Sequence, residues 1–184
     1  MHATIAVKRK SATALQLHDL VIRQVEQRDL PALEWDGEYK KYRRMYANIF
    51  QDTNRGRIIM WIIETPRGEV IGQAFVMLNS SEKQAADGEN RAYIFAFRVK
   101  TDWRNHGVGT CLMHFIENDC LKRRYSYLTL NVAKVNLNAR RLYERLGYRV
   151  IGSRPGRWSY KDDLGHIQHV NEPSWRMIKC ISVD

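Results

Sequence analysis

No apolar run in this sequence is long enough to cross a bilayer. The longest, residues 58–63 (IIMWII), falls far short of the roughly 20 residues a spanning helix needs. The opening MHATIAVKRKS places its charges after a weak apolar patch, so neither a membrane span nor a secretory leader is expected. Cysteine is scarce. Cys111, Cys120 and Cys180 form an odd set without a CxxC pair, which argues against a disulfide framework or zinc site and suits free thiols in a reducing cytoplasm. Histidine offers no metal motif, since His106, His114, His166 and His169 form no His-x-x-x-His pair beside a carboxylate, and no metal is expected. Nothing repeats internally.

What is present fits one folded domain: 184 residues, 44% hydrophobic and 27% charged, enough to bury a core and far from disordered or fibrous compositions. Acidic residues are too few to balance the basic ones, leaving a net charge of +10. That excess is local. Residues 98–161 hold 14 Lys and Arg against 4 Asp and Glu, while the rest of the chain is balanced at 16 against 16. Such a block suits an anionic partner, whether a nucleic acid, an acidic lipid surface or a phosphorylated cofactor; solvated helix faces carry similar charge.

Residues 1–18 show no sustained period and are assigned to an N-terminal arm, with the domain at 19–184. The alternation Val21, Arg23, Val25 predicts a strand, and Asp29-Leu30-Pro31 a helix start with Asp29 as N-cap. Residues 38–51 place Tyr39, Tyr42, Met45 or Tyr46 and Ile49 or Phe50 at helical spacing. The runs 58–64 and 69–78, separated by Thr65-Pro66-Arg67-Gly68, read as a hairpin. A polar loop, 79–90, leads to a strand at 91–99. The period then changes: Val108, Cys111, Leu112, Phe115, Ile116 and Cys120 recur at helical spacing, and a strand follows at 125–132. Asn136 and Gly147 bracket a short helix as N-cap and left-handed stop. Strands are expected at 148–151 and 175–181. The connection between them is too long for a simple turn and suits, in part, a hairpin.

The sharpest feature is Arg104-Asn105-His106-Gly107-Val108-Gly109-Thr110, between a strand and a helix. A phosphate needs converging backbone N–H groups with no side chain in the way, and a helix start supplies unpaired donors and a favourable dipole. A dinucleotide fingerprint would want Gly or Ala where Leu112 stands, and no Lys-Ser/Thr follows for a Walker A loop. A glycine pair alone also fits a plain tight turn.

The run FRVKTDWRNHGVGTCLM resembles the first cofactor-binding motif of the GNAT superfamily of N-acetyltransferases, and NVAKVNLNARRLYERLGY, about 30 residues on, resembles the second. The resemblance implies a mixed α/β fold with a mostly antiparallel central sheet flanked by helices and splayed at the cofactor cleft. It implies acetyl-CoA as cosubstrate and direct transfer of its acetyl group to an amine of a small molecule, peptide or protein. Phe97 and Val99 would offer main-chain hydrogen bonds to the pantetheine arm. Residues Arg104, Asn105, His106, Gly107, Val108, Gly109 and Thr110 would hold the pyrophosphate, and Asn136 would meet the pantetheine or thioester. Tyr143 would protonate the departing thiolate, although its spacing with Ala139 and Leu146 also suits a core residue. An amide at Phe97 would stabilise an oxyanion.

One position departs from that pattern. Many relatives carry Glu four residues before the Val of the first motif, where this chain has Phe95. Either the amine arrives neutral or a base comes from elsewhere, with Glu34, Asp36 and Tyr160 as candidates. The family's acceptor cleft, opposite the coenzyme, would be flanked by residues 34–50 and 154–173, where Asp36, Glu38, Asp162 or Asp163 would attract an ammonium. No nucleic-acid or membrane partner is expected, and a homodimer is compatible with the resemblance. The alternative is a non-catalytic coenzyme-A-binding or RNA-binding module on the same fold.

Overall fold

In the computed structural model, which describes residues 17–182, alternating β-branched and aromatic runs build a seven-stranded sheet. Its strands are β1 (Val21–Gln24), β2 (Ile58–Glu64), β3 (Val70–Met77), β4 (Arg91–Val99), β5 (Tyr127–Ala133), β6 (Arg149–Arg154) and, after a separate hairpin of β7 (Arg157–Lys161) and β8 (Ile167–Asn171), β9 (Ser174–Cys180). The order across the sheet is β1-β2-β3-β4-β5-β9-β6. All neighbours are antiparallel except β4 and β5, whose parallel register requires the crossover that carries a helix. The expected α/β fold is thus observed.

β2 and β3 are buried along nearly their whole length because both sheet faces are covered. On one face, α2 (Val108–Lys122) lays Val108, Leu112, Met113, Ile116 and Cys120 against Trp61, Ile94, Leu128, Leu130 and Met177. On the other, α1 (Arg43–Thr53) and a 3₁₀ helix (Gln27–Glu34) bury Tyr46 and Leu33 against Met60, Ile62 and Phe75. Burial of these side chains is the dominant stabilising term, at roughly 1.5–3 kcal/mol for each large apolar residue. The third helix, α3 (Leu137–Arg145), starts at Asn136, whose Oδ1 accepts from the Ala139 N–H at 3.1 Å, and ends before Gly147 at φ +89°.

Three local expectations are corrected. Asp29 is not an N-cap: Glu26 holds that position, and Asp29 sits one turn in, accepting from the Glu26 N–H and clasped by Arg23. Its carboxylate serves the β1 edge, where Arg23 also grips Glu64. The helix expected from residue 38 begins at Arg43, after a short 3₁₀ turn (Lys40–Tyr42). The last strands run Arg149–Arg154 and Ser174–Cys180, shifted from the expected ends. Of the proposed arm, residues 1–16 lie outside the described residues, while Leu17–Asp19 form a 3₁₀ turn before β1. Among the described residues, no helix is long and apolar enough to cross a membrane.

Candidate active site

The site begins with a strand that changes phase. Opposite β3, Phe75 pairs with Phe95 but Gln73 pairs with Arg98, so β4 carries one extra residue, and Ala96 absorbs it at φ +51°. Such a bulge bends the strand and re-aims its side chains. Ile94 packs on the α2 face before it; Phe97 and Val99 return to that face after it, while Phe95 and Ala96 pack on the α1 side. The parallel ladder with β5 joins residues 91–94 to residues 127–130 and no further. Beyond it β4 stays with β3 as far as Val99, and β5 stays with β9 as far as Ala133. The sheet therefore opens between the second halves of β4 and β5.

The glycine-bearing start of α2 lies at this opening. Gly107 is its N-cap at φ +82°, with no side chain capping it, and Asn105 is also left-handed at φ +62°. The first-turn N–H groups of a helix lack intrahelical partners by construction. Arg104 is anchored by its Nε to the Val99 carbonyl at 2.9 Å. A Cβ on Gly109 would lie 3.3 Å from the Phe97 ring and 3.5 Å from Leu142 Cδ2, so its lack of a side chain lets α2, β4 and α3 approach one another. A Cβ on Gly107 would meet Leu17 Cδ1 at 2.8 Å; the chain segment just before β1 packs against this turn.

Tyr143 reaches the same place from α3. It is 5% exposed, its ring centroid 6.0 Å from both Phe97 and Tyr148. Burial raises its phenol well above the ordinary tyrosine range, because the phenolate would lose its hydration. The group therefore stays protonated at neutral pH and keeps a proton to donate. The structure thus brings together Phe97, Gly109 and Tyr143, and sets the turn 104–110 beside them. Asn136 stands at the α3 start with Oδ1 spent on its own helix.

The opposite face is aromatic and basic. Tyr42 meets Tyr160 at 4.8 Å and Trp158 at 6.4 Å between centroids, joining the two segments expected to flank an acceptor cleft. Tyr46 instead faces the sheet, edge-on to Phe75. Two of the four acidic residues expected to draw an ammonium are otherwise engaged. Asp162 accepts from the Leu164 and His166 N–H groups and from Gln168 Nε2, organising the β7–β8 turn, and Asp163 faces Lys40 at 3.7 Å. Glu34, a candidate base, is clasped by Arg43 at 2.6 and 2.8 Å, which holds its carboxyl below the usual carboxylate range. Phe95, where a carboxylate would stand, stacks on Tyr93 and meets Phe75 edge-on.

Sequence reasoning missed Arg98. In the sequence it is one charge of the basic block, yet the bulge sends it to the aromatic face, its guanidinium 4.0 Å from the Tyr39 ring centre and 5.1 Å from that of Tyr42, with Nη1 on the Tyr46 hydroxyl. Other members of the block are paired locally, Arg123 with Asp119 and Arg140 with Glu144. The charge excess is divided between faces.

An open mixed sheet with a helix start and a buried phenol at the gap defines a group-transfer fold of the N-acetyltransferase type. The model of the acetyltransferase (GNAT) family matches residues 21–148, and the chain belongs to that family. Among solved structures it resembles Ard1 from Thermoplasma volcanium (18% identity, TM-score 0.68, covering 90% of this chain and 99% of that one). It also resembles the ribosomal-protein-S18-alanine N-acetyltransferase from Escherichia coli (22%, 0.63, 90% and 96%) and the spermidine/spermine N-acetyltransferase SpeG from Vibrio cholerae (15%, 0.67, 90% and 94%). Comparison with curated protein sequences finds no match. Among the described residues, no group of three or more His, Cys, Asp or Glu side chains is placed to hold a metal ion.

Proposed function

We propose that this acetyltransferase takes its acetyl group from acetyl-CoA and passes it directly to an amine. The observation that carries the reading is the meeting, at the β4–β5 opening, of the uncapped α2 start, the β4 main chain around Phe97 and the buried Tyr143. The residues fit the cosubstrate: Gly109, without a side chain, lets the α2 start close on Phe97 and Leu142, and a left-handed Gly107 presents a helix start without a competing cap. Residues 104–110 would hold the pyrophosphate through backbone N–H groups and helix dipole, with Phe97, Val99 and Asn136 along the pantetheine. Because Asn136 Oδ1 caps α3, its Nδ2 is the group left to donate.

Bound acetyl-CoA supplies an electrophilic thioester carbonyl and a thiolate leaving group. The Phe97 amide, on the strand segment freed by the bulge, donates to the carbonyl oxygen as charge builds there. Tyr143 gives its proton to the sulfur as the carbon–sulfur bond breaks. With Phe95 in the base position, the amine arrives neutral, and the proton its nitrogen sheds as the amide forms replaces the one Tyr143 gave to the sulfur. An amine acceptor is supported by the family and by neighbours named for a ribosomal-protein alanine and for spermidine; the free thiols support a cytoplasmic setting. The missing carboxylate at Phe95 favours the second reading, a coenzyme-A-binding module without turnover. Incubation with acetyl-CoA and a panel of amines separates the two. Free thiol and acetylated amine in equal amounts are expected; cofactor binding without either product would establish the second reading.

A further inference from the structure

Arg98 is a half-buried guanidinium walled by Tyr39 and Tyr42. Nη1 donates to the Tyr46 hydroxyl. Among the described residues it forms no ion pair: Glu34 is held by Arg43, and Glu38 lies beside the Tyr39 hydroxyl. Aromatic faces offset part of the cost of removing a cation from water, but an unpaired, partly desolvated charge is what a site built for an anion looks like before the anion arrives. A second arginine stands on the same sheet face. Arg176 of β9 is 5% exposed and lies 5.7 Å from the Tyr93 ring centre. Its Nε donates to Asn131 and its Nη2 to Glu82, which Arg154 also contacts, and its Nη1 is buried without a partner. Two arginines therefore stand on the sheet face that carries Tyr93 and Phe95, Arg176 against Tyr93 and Arg98 past the bulge, where β4 has parted from β5.

We propose that Arg98 makes this acetyltransferase selective for amines that carry a carboxylate, and that Arg98 receives that carboxylate while Tyr39 and Tyr42 hold the guanidinium in place. The proposal rests on the acetyl-transfer reading and adds the acceptor class to it. A polyammonium acceptor fits poorly. The aromatic box that would surround its charge already contains a cation, and the neighbouring Asp162 is committed to its own turn. The carboxylate can come from a free acidic amino acid or from the acidic N-terminal residues of a peptide; the chemistry at Arg98 is the same.

The test uses the full chain with coenzyme A bound, and five probes: glutamate, its diamide (glutamine with the α-carboxyl also amidated), the peptide Ala-Glu-Glu-Ala-amide, its Ala-Gln-Gln-Ala-amide counterpart, and spermidine. Calorimetric binding is measured alongside turnover with acetyl-CoA. Wild type should prefer an acidic probe over its amide counterpart by roughly ten- to a hundredfold, the range for a charge-assisted hydrogen bond. Preference within the glutamate pair identifies the free amino acid as source, and within the peptide pair alone the chain terminus. Arg98→Gln should erase the preference by raising KM for the acidic probe while kcat for the neutral one and affinity for acetyl-CoA hold; Arg98→Lys should restore part of it. Equal binding within both pairs, tighter binding of spermidine, or a preference that survives Arg98→Gln would overturn the proposal. Selective binding of an acidic probe without acetyl transfer would leave the Arg98 assignment standing and sink the transfer reading; transfer to all amines alike would do the reverse.

Discussion

Replacing Tyr143 by Phe removes one oxygen and leaves the ring, which touches Phe97 and Tyr148 at 6.0 Å centroid separations. Burial and the nearby Tyr93, not a hydrogen bond, set the environment of the hydroxyl, so no intramolecular bond is expected to be lost. Stability should change by less than the ~1 kcal/mol of an ordinary hydrogen bond. Turnover is different, because in the proposed reaction the phenol, which packs against Phe97, is the group that protonates the departing thiolate. A positioned general acid contributes on the order of a hundredfold or more, so kcat should fall roughly tenfold to a thousandfold, or about 1.4–4 kcal/mol of barrier. Affinity for acetyl-CoA should be nearly unchanged. Burial raises the Tyr143 pKa, so the acid is protonated throughout the neutral range, and wild-type turnover should lose this contribution only above the ordinary tyrosine value of about 10. The variant should lack that alkaline limb. Thiol release measured from pH 6 upward, with a parallel melting curve, decides the matter: unchanged kcat in a folded Tyr143→Phe protein would reduce Tyr143 to a packing residue.

Gly109→Val should abolish measurable acetyl-CoA binding and cost about 1–3 kcal/mol by overpacking, since its γ carbons extend a Cβ already 3.3 Å from Phe97 and 3.5 Å from Leu142; titration calorimetry and denaturant melts check the two effects. The Arg23 grip lowers the Asp29 pKa, so its stabilisation is present above the unfolded-state value of roughly 4 and is lost as pH falls through the depressed folded-state value. Asp29→Asn should therefore be less stable than wild type at pH 7 and converge with it in acid, seen by melting across pH 2–7. Burial pushes the Cys120 thiol up to about 12, whereas Cys180 is exposed; a thiol reagent at pH 8 should label Cys180 at once and Cys120 only on unfolding, by mass spectrometry of digested protein.

Local chemistry made most of the scaffold readable. The Thr65–Gly68 turn, the Asn136 cap and the Gly147 stop each act within a few residues, and the structure keeps all three. The positions that escaped are set by distant partners. Ala96 has no glycine or asparagine to signal a left-handed residue, so the bulge that returns Phe97 to the α2 face and sends Arg98 to the other is a consequence of strand pairing with β3. Asp29 read as a cap because Asp-Leu-Pro is a helix-start pattern; Arg23 and Glu64, the latter far along the chain, decide its role. The basic block was visible as composition, but its split between two faces required knowing which side of the sheet each strand residue meets.

The most direct measurement is the melting temperature of the full chain with and without acetyl-CoA. Ligand at a hundred times its dissociation constant adds about 2.7 kcal/mol, which for a chain of 184 residues corresponds to a rise of about 5–10 °C. Coenzyme A should give a comparable rise, and Gly109→Val none. A wild-type melting temperature that does not move at millimolar acetyl-CoA or coenzyme A would contradict the assignment of the β4–β5 opening as the cosubstrate site.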